Sequence, residues 1–167
     1  MKREFNDDHT PLGYLITFRA YGTWLHGDAR GAVDRRHHIY STPMLPASPR
    51  RKQLEKGLLK QPPVKLSRPQ REAINFAVRE TCAIRKWALL ALNVRTNHLH
   101  CVVTSSSNPK SVLAALKANA TRSMRAAGCW SSELSPWARG GSTKYLWTDE
   151  ELATAIVYVV EDQGEPL

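Results

Sequence analysis

Two histidines separated by one leucine, His98-Leu99-His100, sit inside the strongest strand pattern of the chain, Trp87 to Thr104. Side chains alternate along a strand, so both imidazoles point to one face while Leu99 and Cys101 point to the other. Neutral imidazole is the commonest protein metal ligand, and this spacing supplies half of a divalent-metal site. A histidine pair on a half-exposed strand is also ordinary polar surface, so a second reactive group has to decide between the two. Tyr158 is the candidate. At about 100° per residue, Leu152, Ile156, Val159 and Val160 share one side of a carboxy-terminal helix, with Tyr158 opposite them among Glu151, Thr154, Glu161 and Asp162. A tyrosine there for packing belongs in the apolar stripe, so this hydroxyl is expected to meet something other than the helix's own core contact.

A metal held by two histidines, a hydroxyl on a polar helix face and a basic protein together suit phosphodiester transesterification. The chain carries a formal net charge of +9 and a pI near 9.8, which points to a polyanionic partner, nucleic acid first and an acidic membrane surface second. A divalent cation neutralises charge on the phosphate oxygens while the tyrosine oxygen attacks in line and retains one DNA end as an ester. The ester conserves bond energy and permits rejoining without ATP. A phenol is little ionised at neutral pH, so a metal or a base must help to remove its proton; no residue is singled out as that base.

These groups need elements to hold them. Gly13 to Trp24 is rich in aromatic and β-branched residues and reads as a first strand. From about residue 26 to 67 the chain turns proline-rich, with paired bases at Arg35-Arg36 and Arg50-Arg51 and a short helix after Ser48-Pro49; it reads as a basic arm or, equally, a solvated linker. Ser67 and Gln70 form a capping-box pattern opening a helix to about Arg85, with Ile74, Ala77, Val78 and Ile84 inward. Trp87 to Val94 is apolar on both faces and suits a central strand, with Thr96-Asn97 as the turn into His98 to Thr104. Asn108-Pro109 starts a helix to about Ala127, stopped by Gly128, that leaves Lys110, Lys117, Arg122 and Arg125 on its outside. Lys144 to Trp147 is a short last strand, and Thr148 with Glu151 caps a helix running to about Asp162. Arg19, Arg35, Arg36, Arg50, Arg51, Lys117, Arg122, Arg139 and Lys144 are the candidate DNA-binding residues.

A chain of 167 residues, 42% hydrophobic, is expected to form one domain over 1–167. Its charges are unevenly spread: eight basic residues lie between Arg50 and Arg71 against Glu55 alone and nine between Arg85 and Lys144 against Glu133 alone, while the last twenty residues carry six acids and no base, a basic body with an acidic tail end. Three widely spaced cysteines, Cys82, Cys101 and Cys129, argue against a disulfide framework and form no CxxC pair. With a charged start and no apolar run near the ~20 residues of a membrane helix, the chain reads as a cytoplasmic protein with no membrane partner. A histidine-triad hydrolase would want a histidine at the position of Val102, and a metallo-lactamase pattern an Asp and His soon after His100; neither is present. Phosphate-cradling glycine loops and a GxSxG elbow are absent too.

The octapeptide Thr96-Asn97-His98-Leu99-His100-Cys101-Val102-Val103, a basic helix after it and Tyr158 on a final helix resemble the HUH-type single-tyrosine transposases, in particular the REP-associated tyrosine transposase branch. Tyr14 to Asp28 and Trp137 to Pro166, with Gly140-Gly141-Ser142-Thr143, Tyr145-Leu146-Trp147 and Tyr158 to Gly164, are similar to that group as well. The likeness covers most of the chain outside the proline-rich arm; the histidine triplet is weakly specific alone and considerably stronger with the tyrosine helix. It implies an α+β, ferredoxin-like α/β sandwich with a central antiparallel sheet, the HUH motif on a middle strand and a carboxy-terminal tyrosine-bearing helix beside it. It implies Mg2+- or Mn2+-dependent cleavage and joining of single-stranded DNA near a hairpin, through a 5′-phosphotyrosine intermediate: His98 and His100 as metal ligands, Tyr158 as nucleophile. The family often adds a polar ligand about one helical turn after the tyrosine, which is Asp162 here, with Gln163 one further. A carboxylate suits magnesium, a hard ion that prefers oxygen.

The competing class is a non-catalytic nucleic-acid-binding module of the same fold, and a third is RNA binding through phosphates and bases stacked on Trp24, Trp130 or Trp137. The sequence leaves open whether the site is built within one chain or shared in a homodimer.

Overall fold

The computed structural model describes residues 10–23 and 47–161. The elements are β1 (Gly13–Arg19), α1 (Pro49–Gly57), α2 (Arg68–Arg85), β2 (Ala88–Val94), β3 (His98–Thr104), α3 (Pro109–Ala126), β4 (Ser142–Leu146) and α4 (Asp149–Val160). The four strands form one antiparallel sheet in the order β2-β3-β1-β4. With α1 set aside, this is the βαββαβ arrangement of a ferredoxin-like sandwich, and the histidine strand β3 is an inner strand as expected.

The alternation of β1 and β3 divides the core. Ile16, Phe18, Leu99, Cys101 and Val103 face α2 and α3 and form the larger cluster, in which Phe18 meets Trp137 edge to face at 4.8 Å. Leu15, Ala91, Val102 and Leu146 face the other way and are covered by Ala155, Val159, Leu152 and Ile156 of α4. Among the described residues α4 covers this second face only in part, with His100 buried and His98 half-buried beside it.

Local chemistry sets the helix ends. Ser67 and Gln70 make both bonds of the capping box, and Pro69 occupies the first turn, where its missing N–H costs nothing. The Thr148 hydroxyl accepts the Glu151 amide, three acids line the first turn of α4, and Glu151 in turn accepts the Trp147 amide at 2.7 Å.

Several expectations are corrected. Trp87 to Val94 yields an edge strand, not a central one, because β1 pairs with β3 and β4 and leaves β2 outermost; Leu90 is exposed accordingly. Ile84 is 73% exposed, since it lies about 200° round the helix from Cys82, which α2 does bury. Ala155 and not Val160 completes the inner face of α4. The last part of the proline-rich arm is no solvated linker: Val64 and Leu66 are buried, and their amides bond the carbonyls of Tyr21 and Thr96. The first strand ends at Arg19 and passes into a turn, and the remainder of the arm, with Trp24, lies outside the described residues.

Candidate active site

Register assembles the site on this second sheet face. In the β1·β3 ladder Thr17 lies opposite His100 and Arg19 opposite His98, and in the β2·β3 ladder Asn93 lies opposite His100. Residues directly opposite in an antiparallel pair point the same way, so all of these share a face with the imidazoles. The two rings lie edge to face with centroids 4.6 Å apart, His100 almost wholly buried at 8% and His98 half-buried.

Each ring is oriented through its Nδ1. His100 shares a 2.7 Å hydrogen bond with the Thr17 hydroxyl, and His98 donates from Nδ1 to the side-chain oxygen of Asn97. Such partners hold the ring orientation, and with Nδ1 of each ring engaged they point to Nε2 as the atom for any ligation. Thr17 is itself braced from the β4 side. A Cβ on Gly141, whose φ is +157°, would come within 2.8 Å of the Thr17 carbonyl, so only glycine lets the loop approach there.

Tyr158 comes to this pair from above. Its ring centroid is 5.4 Å from that of His100, nearly perpendicular, within the same chain. The side chain is 37% exposed, so it stands at the edge of that face and not in the core. It also lines a shallow depression of about 240 Å³ with Leu15, Lys144, Glu150, Glu151 and Thr154.

The donor set fits a divalent cation in two positions, both neutral-imidazole nitrogens. Among the described residues no third imidazole, thiol or carboxylate joins them. Asp162 and Gln163 lie outside the described residues; α4 ends at Val160 with Glu161 as its cap.

The candidate DNA-binding residues divide. Arg19 and Lys144 lie on the histidine face, Lys144 opposite Leu15. Arg50 and Arg51 are exposed on α1, which buries no residue. Arg122 is exposed on α3, behind the sheet from the histidines, and Arg139 is exposed before β4. Lys117 has a structural task that its position on the outside of α3 did not suggest: its ammonium donates to the carbonyls of Ala138 and Gly140 at 2.7 and 2.8 Å, and burial lowers its pKa. Arg35 and Arg36 lie outside the described residues. Trp137, a stacking candidate, is instead buried, its indole N–H bonded to the Lys117 carbonyl and the Thr121 hydroxyl.

Sequence reasoning missed Thr17, Asn93 and Asn97 as partners of the site. Asn97 adjoins the motif, and an asparagine in the otherwise apolar stretch Ala88 to Val94 was a visible anomaly; Thr17 was legible only through register.

Among solved structures, the chain superposes on a REP-associated tyrosine transposase bound to a REP hairpin with a TM-score of 0.52, at 12% identity over 95% of this chain and 68% of that one. This chain has the fold of the REP-associated tyrosine transposases. A protein of Deinococcus radiodurans R1, named only as a transposase candidate, aligns at 14% identity over 98% of this chain and 96% of that one, with a TM-score of 0.46. No protein-family model matches the sequence, and no curated protein does. In the transposase fold shared with the first of these structures, β3 carries His98 and His100 and α4 carries Tyr158.

Proposed function

We propose that this protein is a transposase: a single-tyrosine enzyme that nicks and rejoins single-stranded DNA next to a hairpin. The observation that carries the reading is the 5.4 Å approach of Tyr158 to His100 beside His98, on the sheet face that α4 packs against. The fold shared with a tyrosine transposase bound to a REP hairpin supports the substrate class.

His98 and His100 hold Mg2+ or Mn2+ through Nε2, with Asp162 or Gln163 as the further ligand. What the bound ion supplies is neutralisation of charge on the scissile phosphate oxygens. Thr17 and Asn97 keep both rings in the ligating orientation. Arg19, on the same face, adds positive charge for the phosphate. The Tyr158 oxygen attacks phosphorus, its proton leaving to a base or water. The Oη–P bond forms as the P–O3′ bond breaks, and the departing 3′ oxygen takes up a proton. A new 3′ hydroxyl reverses these steps and releases the tyrosine.

Incubation with labelled single-stranded DNA carrying a hairpin, in Mn2+, tests this. A covalent protein–DNA adduct is expected in the wild type and none above background in Tyr158→Phe. Salt-sensitive binding without adduct in either metal would instead favour a non-catalytic module, and preference for a matched RNA would move the substrate class.

A further inference from the structure

The last carbonyls of a helix have no partner within it, and a buried one must find a partner elsewhere. In α4 the Val159 carbonyl belongs to this set, and Val159 is fully buried. Its partner is the Asn93 side chain, which donates from Nδ2 at 3.0 Å across from β2. Asn93 lies opposite His100 in the strand register, and Val159 adjoins Tyr158. One amide thus joins the strand position facing a metal-ligand candidate to the residue beside the nucleophile candidate.

The apolar packing of Ala155 and Val159 holds α4 against the sheet but is non-directional and fixes neither its rotation nor its register along the sheet. A hydrogen bond to one carbonyl of the last turn removes that freedom. It has a cost as well: Asn93 is 97% buried by difference from its 3% exposure, and its Oδ1 has no hydrogen-bond partner among the described residues. A buried unsatisfied acceptor costs stability relative to an apolar side chain of the same shape. The asparagine therefore serves the Val159 carbonyl and not the burial of its own amide.

Resting on the transposase reading, we propose that Asn93 is a positioning residue: by clamping the last turn of α4 it sets Tyr158 against the His98/His100 pair. The test is Asn93→Leu, which keeps the volume and removes the donor. A structural role predicts that stability and rate fall together. Positioning predicts single-turnover adduct formation slowed about ten- to a hundredfold at temperatures where the variant is fully folded, whatever its melting temperature, with DNA and Mn2+ affinities within about twofold of wild type. Amide hydrogen exchange over residues 156–161 should quicken in the same variant. Asn93→Ala, assayed well below its own melting temperature, should show the same slowing and guards against a leucine that disturbs packing.

An adduct rate within twofold of wild type in folded Asn93→Leu overturns the proposal, as does a loss of rate that follows the loss of folded protein in both variants. If the wild type makes no Tyr158 adduct, the transposase reading fails instead. Hydrogen exchange then still judges the clamp: unchanged protection at the end of α4 in Asn93→Leu refutes it.

Discussion

At the scale of single residues, the candidate site includes groups beyond the histidines and the tyrosine. Thr17 holds the Nδ1 of His100, and removing that partner should loosen the ring while leaving the sheet intact. Thr17→Val keeps the β-branched shape suited to a strand and deletes only the hydroxyl. Its Mn2+ affinity, read by titration calorimetry, is expected to fall about ten- to a hundredfold, as is usual when a ligand's supporting hydrogen bond is lost. Unchanged affinity would show that packing alone orients His100. The cysteines sit at the opposite extreme. Burial pushes the Cys82 thiol up to about 11 and raises Cys101 further, so neither supplies a thiolate for chemistry near neutral pH.

At the scale of elements, α1 stands out because it buries none of its residues while carrying Arg50, Arg51, Lys52 and Lys56 against Glu55. A nine-residue helix has little stability of its own, and here a Ser48 cap and Pro49 in the first turn start it. Its cationic surface suits phosphate contact. Replacing Arg50 and Arg51 together by alanine should weaken DNA binding similarly for all sequences. It should also flatten the plot of log affinity against log salt by about 1.4 to 1.8, one phosphate contact per arginine. A slope identical to wild type would remove α1 from the DNA-binding surface. The helices themselves were legible because their signals are local: the Ser67–Gln70 box, Asn108-Pro109 and Thr148–Glu151 each act within one turn. The strand order was not. Apolar residues on both sides of Trp87 to Val94 suggest a central strand, yet one side of β2 is an edge, and Leu90 remains exposed there.

At the scale of the whole molecule, Tyr158 stands beside His100 within one chain. Mixing Tyr158→Phe with the double variant His98→Ala, His100→Ala should therefore not restore adduct formation at any ratio. Recovery towards a quarter or more of wild-type activity would mean that tyrosine helices are exchanged between chains. The sequence by itself determined the candidate groups and the type of element that carries each. A histidine pair at strand spacing, a tyrosine on a polar helix face and capping residues at helix starts are all properties of a few neighbouring residues. Only the tertiary structure decided that these groups meet, that Thr17 and Asn93 flank His100, and that Lys117 braces a loop. Each of those follows from strand register and from the packing of α4 on the sheet. Register and packing join residues far apart in the chain, 83 positions for Thr17 and His100, through contacts that no local pattern encodes.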